Sequence, residues 1–175
     1  MEIMLTYKTF KILGREILIG VVWEEKIQGI AYSLDGLEFL KDQLSRVTSH
    51  LKSRGVKVNL LEEKSRYPDL VFDVLKGKIG NEKGFEELSL EGLTRFEIKV
   101  YSWLVKNVKR GEVITYGKVA KALKTSPIAV GGAMKRNPYP IIVPCHRVVG
   151  KNNPWLYTPK PSYKKFLLEV EGWIS

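Results

Sequence analysis

Two runs of strand-forming residues lie close together near the start of the chain. Residues 16–23 and 27–34 are rich in Ile, Leu, Val, Tyr and Trp, and only Glu24, Glu25 and Lys26 separate them. Two such runs joined by so short a polar segment are typical of a β-hairpin. The first half of the chain is therefore predicted to contain a small antiparallel sheet.

Helical patterns follow the hairpin. Asp35, with Glu38 three residues later, matches a capping box, and leucines at helical spacing predict a helix that ends near Gly55. A further strand is predicted over residues 56–61. A short helix over Tyr67–Lys76 is predicted to begin at a proline, and the glycine-rich residues after it favour a linker.

The second half of the chain is predicted to be mostly helical. Thr94 and Glu97 form a second capping box, followed by apolar residues at four-residue spacing. Residues 116–123 and 128–136 predict two short helices, separated by Thr125-Ser126-Pro127, which supply a turn, an N-cap and a proline in the first helical turn. Two helices about a tight turn predict a helix-turn-helix, with the second as the recognition helix.

These patterns predict an α+β protein. We expect an N-terminal αβ domain over residues 1–85, a linker near 77–92, and a C-terminal domain over 93–175. The 44% of hydrophobic residues suffice for a core without disulfide or metal staples. Without a membrane-length apolar stretch or a signal-peptide pattern, the chain is expected to be cytoplasmic and independent of membranes.

The positive charge of the chain is confined to one half. Residues 1–93 contain 14 Lys and Arg against 15 Asp and Glu, whereas residues 94–175 contain 15 against 4. This asymmetry is typical of proteins that bind nucleic acids or other anionic surfaces. A solvated basic face would have the same composition, so charge alone leaves both readings open.

The recognition helix is unusual because its side chains are small. Residues 129–133 read Ala-Val-Gly-Gly-Ala, at a helix-propensity cost of up to about 1 kcal/mol for each glycine. Small residues permit close backbone approach, either to another helix or to a narrow groove. Lys135 and Arg136 at its end suit phosphates, or equally the negative end of the helix dipole.

Cys145 is the only cysteine of the chain, and one of its two histidines, His146, follows it directly. A single cysteine is either inert packing or a nucleophile, and a neighbouring histidine favours the second role only weakly. In an extended segment the two side chains would point to opposite faces, so a water would have to relay a proton between them. Two histidines and one cysteine do not support a metal site.

Five segments of the second half resemble the O6-alkylguanine-DNA alkyltransferases. Pro-Cys-His-Arg-Val is the active-site signature of that family, and the resemblance covers about residues 94–172. The matching segments are residues 113–117, 129–134, 136–138, 141–149 and 165–172. The resemblance implies a ribonuclease H-like N-terminal domain and a mostly helical, winged-helix-like C-terminal domain.

The resemblance also implies a reaction and the residues that perform it. Cys145 would take the alkyl group from guanine O6 and keep it, with His146 as its base through a water and Glu171 orienting the histidine. Asn137 would be the hinge between the recognition helix and the active-site segment. Tyr116 would assist base extrusion and donate a proton to the departing guanine.

The partner implied by the resemblance is alkylated double-stranded DNA, bound by a monomer without cofactor or metal. The resemblance also implies O4-alkylthymine as a second substrate. The implied substrate-binding residues are Tyr116, Met134, Val149, Tyr157 and Thr158. The implied DNA-binding residues are Thr125, Ser126, Ile128, Ala129, Gly132, Lys135 and Arg136.

Two features depart from the family pattern. Ile128 stands where the family usually has an arginine finger, and isoleucine offers no hydrogen bond to the orphaned base. We therefore expect slower repair in duplex DNA. The loop at residues 151–161, usually glycine-rich, contains prolines and Trp155, which should stiffen the pocket wall.

Other functions fit parts of the sequence. A lesion-binding protein without activity would use the same DNA-binding helices, although such relatives typically lack the cysteine. A helix-turn-helix regulator with an inert cysteine is a further alternative, and a cysteine hydrolase has less support. The remaining histidine, His50, is expected to be a solvated helix residue.

Overall fold

The computed structural model describes residues 3–58, 60–154 and 160–174. Its N-terminal half contains a four-stranded sheet of β1 (Ile3–Ile12), β2 (Arg15–Trp23), β3 (Ile27–Ser33) and β4 (Leu60–Glu62). The strand order in this sheet is β3-β2-β1-β4. Strands β1 to β3 pair antiparallel, whereas β4 runs parallel to β1. The predicted hairpin is confirmed as β2 and β3, while β1 has no counterpart among the predicted elements.

The two faces of the sheet contribute to different cores. Successive residues of a strand point to opposite faces, so Ile17, Ile19 and Val21 of β2 enter one core while Leu18 and Val22 enter the other. The smaller core lies under the first helix. The larger core also contains buried side chains of the second half of the chain. The sheet is therefore the surface on which the two halves meet.

The first helix, α1 (Leu37–Ser53), begins later than predicted because Asp35 does not cap it. Its N-cap residue is Gly36, at φ +95°, which has no side chain to accept a hydrogen bond. Asp35 instead accepts from Tyr163 Oη at 2.6 Å and from Lys160 Nζ at 3.2 Å. The predicted capping box is wrong, since this carboxylate joins the end of the sheet to the last helix.

Further helices follow α1 along the chain. They are α2 (Tyr67–Leu75), α3 (Asn81–Phe85), α4 (Arg95–Asn107), α5 (Tyr116–Leu123), α6 (Pro127–Lys135) and α7 (Pro161–Val170). The capping box of α4 is confirmed: Thr94 Oγ1 accepts from Glu97 N at 3.1 Å, and the Glu97 carboxylate accepts from Thr94 N at 3.0 Å. The strand predicted at 56–61 is shorter, since β4 begins only at Leu60.

The predicted linker near 77–92 contains the short helix α3. Within the three described stretches of chain, none of the helices has both the length and the apolar character needed to cross a membrane. The architecture is α+β, as predicted.

A short parallel pair joins the helix-turn-helix to the cysteine segment. β5 (Ile114–Thr115) directly precedes α5, and β6 (Val148–Val149) directly follows the turn that contains Cys145. The pairing brings the start of α5, where Tyr116 lies, beside the end of the cysteine segment.

Candidate active site

Cys145 lies in a short 3₁₀ turn rather than in an extended segment. The turn spans Cys145–Arg147, and Cys145 N donates to Val143 O at 2.7 Å. Cys145 is 6% exposed, and His146 is fully buried. Successive side chains of a 3₁₀ helix point about 120° apart, because it has about three residues per turn. Cys145 and His146 thus point in different directions, but the predicted extended geometry is wrong.

His146 lies against a buried carboxylate. Its Nε2 is 3.0 Å from Oε1 of Glu171, the residue that ends α7. The ring is not aligned for a straight hydrogen bond to that oxygen, and Nδ1 has no hydrogen-bond partner among the described residues. Burial raises the pKa of Glu171, but His146 and Arg147 lower it by more, from 4.5 to about 2. Glu171 is therefore ionised at neutral pH.

Arg147 fixes the position of this carboxylate. Its Nε and Nη2 donate to the two oxygens of Glu171 at 2.9 and 2.6 Å, and its Nη1 donates to Val108 O at 2.9 Å. A bidentate arginine–carboxylate pair is strong and directional. Sequence reasoning gave Arg147 no such part, because its partners are distant along the chain.

Asn81 of α3 supports both sides of this arrangement. Its Oδ1 accepts from Arg147 Nη2 at 3.2 Å, and its Nδ2 donates to Ile141 O and Ile142 O at 3.0 and 2.9 Å. Asn81 therefore connects the predicted linker region to the backbone before the cysteine. Its position in a glycine-rich stretch gave no signal of this function.

A buried lysine approaches the cysteine from α7. Lys164 Nζ donates to Val148 O at 2.6 Å and lies 5.9 Å from the ring centre of Tyr116. Burial lowers the pKa of Lys164 to about 8, an effect that Cys145 opposes. Lys164 is absent from the predicted site, although it lies seven residues before Glu171 and hence on the same helix face. That spacing was a usable signal.

Two residues of the predicted site flank the cysteine turn. Tyr116 is partly buried at the start of α5, and its pKa is raised by burial first and by Cys145 second. Asn137, just after α6, donates from Nδ2 to Val143 O at 3.2 Å and accepts from Tyr139 N at 2.9 Å. Asn137 thus connects the end of α6 to the backbone just before the cysteine.

Helices α5 and α6 form the predicted helix-turn-helix. Ser126 Oγ accepts from Ala129 N at 3.1 Å, so the predicted N-cap is confirmed. Ile128 in the first turn of α6 is 88% exposed. A Cβ added to Gly131 would meet nothing within 4 Å, which shows an open outer face. Ile128 is thus an apolar side chain that projects from a helix face formed otherwise by small residues.

Arg136 at the end of α6 is paired with a second buried carboxylate. Its Nε donates to Glu97 Oε2 at 2.8 Å, and Arg54 donates to both oxygens of Glu97 at 2.7 Å. Burial raises the pKa of Glu97, but the hydrogen bonds from the two arginines lower it by more, from 4.5 to about 2. The Arg136 side chain is still 46% exposed, so the predicted phosphate contact stays a prediction.

A cavity of about 400 Å³ opens beside Cys145 on the side of α1. His50 lines it and is partly buried, so the expectation that His50 is solvated is wrong. Its Nε2 has no hydrogen-bond partner among the described residues. Burial and Arg54 lower the pKa of His50. The other lining residues are Ile30, Ala31, Tyr32, Gln43, Arg46, Val47, Met134, Lys135, Arg136, Asn137, Pro138 and Pro140.

The predicted substrate-binding residues are only partly described. Met134 lines the cavity and Val149 is buried in β6, whereas Tyr157 and Thr158 lie outside the described residues. Over the stretches that the structure does describe, no group of three or more His, Cys, Asp or Glu is arranged to hold a metal ion.

The fold and the site define a class of protein: an α+β chain in which a buried cysteine, beside a histidine–carboxylate pair, is connected to a helix-turn-helix. Family models support this assignment over most of the chain. The "6-O-methylguanine DNA methyltransferase, DNA binding domain" matches residues 95–173. The "Methylated DNA-protein cysteine methyltransferase, N-terminal" matches residues 4–90. The chain belongs to the methylated-DNA–protein-cysteine methyltransferase family.

Individual relatives resemble the chain over their whole length. The methylated-DNA–protein-cysteine methyltransferase of Pyrococcus abyssi is 76% identical over 172 residues, which cover 98% of this chain and 100% of the relative. That of Thermococcus sibiricus is 57% identical over 175 residues, with the same coverage. The crystal structure of O6-methylguanine-DNA methyltransferase from Pyrococcus kodakaraensis strain KOD1 matches with a TM-score of 0.94 and 52% identity, covering 96% of this chain and 99% of that one.

Proposed function

We propose that this chain repairs DNA by transferring an alkyl group from guanine O6 to Cys145 in one irreversible step. One observation carries the proposal: a buried cysteine directly precedes a histidine whose Nε2 is 3.0 Å from an ionised, buried carboxylate, Glu171. This is the arrangement of nucleophile, base and orienting group that activates a weak nucleophile. Family membership supports the same chemistry.

The transfer is a displacement at a saturated carbon. The thiolate sulfur forms a bond to the alkyl carbon while the bond from that carbon to O6 breaks. Guanine leaves with the electron pair of the broken bond and takes up a proton. His146 accepts the thiol proton through a water, because the 3₁₀ turn directs the two side chains apart.

Other residues of the site assist this displacement by position and charge. Glu171, fixed by Arg147, orients the imidazole and stabilises its cationic form. The raised pKa of Tyr116 keeps its hydroxyl protonated at neutral pH, as a proton donor to the leaving guanine must be. Asn137 keeps the end of α6 connected to the active-site backbone.

The product is a thioether, and a thioether does not return to a thiol by simple hydrolysis. Cys145 is the only cysteine in the sequence, so no second thiol of the chain exchanges with it. Each chain is therefore used once, and the displacement requires neither cofactor nor metal. The acceptor must remain a thiol beforehand, which favours the reducing cytoplasm. A monomer suffices, because each chain carries one acceptor and one helix-turn-helix.

The DNA partner is alkylated duplex, bound through the basic second half. The target base is inaccessible in the stack, so it must be flipped out at a cost of a few kcal/mol. The bare face of α6 suits the minor groove, with Ile128 as an apolar wedge at the vacated position. The contacting residues proposed are Thr125, Ser126, Ile128, Ala129, Gly132, Lys135 and Arg136.

The flipped base would be bound between α5 and the cysteine segment. Tyr116 and Val149 would form one side of this pocket, and in support Val149 pairs with Thr115, the residue before Tyr116. Met134, which lines the same cavity as Cys145, would lie next to the alkyl group, and Tyr157 and Thr158 complete the proposed substrate-binding set.

The test is an intact-mass measurement after incubation with DNA that contains O6-methylguanine. The parent should gain the mass of one methylene group, located by peptide mapping on Cys145, and a folded Cys145→Ala variant should gain nothing. Binding to methylated DNA without an adduct would indicate a lesion-binding protein instead. Sequence-specific binding indifferent to methylation would indicate a regulator.

A further inference from the structure

We infer that Asn81 of α3 is a positioning residue for the alkyl transfer: it holds the backbone before Cys145 in the conformation that places the sulfur. The inference rests on the function proposed above and adds to it a residue from the first half of the chain. All of the predicted site residues lie at position 116 or later. The matching model of the DNA-binding domain begins only at residue 95, so Asn81 lies outside it as well.

Three consecutive backbone carbonyls lead toward the cysteine turn, and each accepts a hydrogen bond from an asparagine side chain. Asn81 Nδ2 donates to Ile141 O at 3.0 Å and to Ile142 O at 2.9 Å. Asn137 Nδ2 donates to Val143 O at 3.2 Å. The backbone before the cysteine is therefore held from two sides, by α3 and by the residues just after α6.

Ile141 has a backbone conformation that needs such support. Its φ is +77°, in the left-handed region, which is unfavourable for a β-branched residue. A conformation of this kind persists only where the surrounding structure holds it. Asn81 supplies one of the holding contacts, at the Ile141 carbonyl. Loss of that contact should let the segment relax toward ordinary backbone angles and displace Cys145, which follows four residues later.

The chemistry of the Asn81 side chain fits this position. A primary amide has donors on its nitrogen and an acceptor on its oxygen. The nitrogen faces the two carbonyls, and the oxygen accepts from Arg147 Nη2 at 3.2 Å, at the other end of the cysteine turn. Aspartate has the same shape and would keep an acceptor for Arg147, but an ionised carboxylate has no donor for the carbonyls. The two kinds of contact can therefore be separated by substitution.

Close packing of α3 against the same segment supports the inference. Gly84, one turn after Asn81, is buried, and a Cβ added to it would lie 3.4 Å from Ile142 Cγ2. A misplacement of the reacting atoms by about 1 Å can slow a reaction by about a hundredfold. Because α3 contains none of the proposed DNA-binding residues, the contribution of Asn81 should appear in the rate of transfer and not in the affinity for DNA.

The test is single-turnover transfer from a duplex oligonucleotide that contains O6-methylguanine, measured at increasing concentrations of the full chain. It gives a limiting rate and a half-saturating concentration for the parent, Asn81→Ala and Asn81→Asp, at a temperature at which circular dichroism shows each of them folded. Both variants should lose about tenfold or more of the limiting rate, with the half-saturating concentration unchanged. The matched control is Asn107→Ala, which removes an exposed asparagine whose Nδ2 also donates to a backbone carbonyl, Trp103 O, at 2.9 Å. It should keep both parental values.

A parental limiting rate in folded Asn81→Ala, with only the melting temperature lowered, would show a purely structural residue and overturn the inference. A parental rate in Asn81→Asp would do the same, since the contacts to the two carbonyls would then be dispensable. So would a change confined to the half-saturating concentration, or an equal loss of rate in Asn107→Ala. If only Asn81→Asp folds, its limiting rate decides alone. Absence of transfer by the parent would instead overturn the proposed function.

Discussion

Two buried glutamates of this protein, Glu97 and Glu171, obey the same electrostatics in different settings. Burial alone would raise the pKa of each, yet cationic neighbours lower both from 4.5 to about 2. Glu97 lies between Arg54, just after α1, and Arg136, just after α6. It therefore connects three helices, since Glu97 itself belongs to α4.

Glu171 differs in one partner. It has a bidentate arginine, Arg147, but its second partner is the imidazole of His146. Arginine does not lose its proton in proteins, whereas histidine gains and loses one near neutral pH. A carboxylate paired with two arginines is therefore a permanent structural link, whereas a carboxylate paired with one arginine and one histidine can take part in proton transfer.

Removal of His146, the partner of Glu171 that can gain and lose a proton, should have the largest effect. In His146→Ala the rate of alkyl transfer from O6-methylguanine DNA should fall by about a thousandfold, within the range for loss of a general base. Single-turnover kinetics measures it. The chain's only other histidine supplies the control, and His50→Ala should keep a rate near that of the parent. A His146→Ala rate close to the parent's would show that the site of Glu171, like that of Glu97, does not take part in proton transfer.

Loss of the permanent link between Glu97 and its two arginines should lower the stability of the fold instead. Glu97→Gln leaves two arginines without their carboxylate and should lower the free energy of unfolding by about 3 kcal/mol, the lower end for breaking a buried pair because Arg136 reaches solvent. Denaturant titration measures it, with the exposed Glu38→Gln as control. The folded Glu97→Gln variant should still transfer methyl groups at close to the parental rate. A large loss of rate at full folding would show that Glu97 also contributes to the chemistry.

Acid should weaken both sites over the same pH range. Because both pKa values lie below the unfolded value of 4.5, the stability from these carboxylates is complete above about pH 4.5 and is lost as pH falls toward 2. Thermal melts from pH 7 to pH 2 measure the loss. Glu97→Gln should show a smaller decrease than the parent, since one carboxylate with a lowered pKa has been removed. An identical decrease would mean that Glu97 contributes nothing to acid sensitivity.

The sequence predicts those elements whose signals are local. The β2–β3 hairpin, the capping box at Thr94 and the N-cap at Ser126 all depend on residues within a few positions of each other, and all are present. The capping box at Asp35 fails because a distant residue, Tyr163, competes for the same carboxylate. Local signals are reliable only where no tertiary partner intervenes.

Prediction of the site is limited in the same way by contacts between distant residues. The active-site signature identifies Cys145 and His146, but not the 3₁₀ geometry of their turn or the support from Arg147 and Asn81. These depend on which segments pack together, and that information is not contained in the signature. Lys164 could have been predicted in part. It is not in the signature, but its helical spacing from Glu171 places it on the same face of the helix.

If Cys145 is a single-use acceptor, the stoichiometry of transfer is limited to one alkyl group per chain. The parent is incubated with a large excess of O6-methylguanine DNA, and the methyl groups removed per chain are counted over time. We expect a plateau at one group per active chain, with the protein converted to the S-methylcysteine form. Continued removal beyond one group per chain would contradict it.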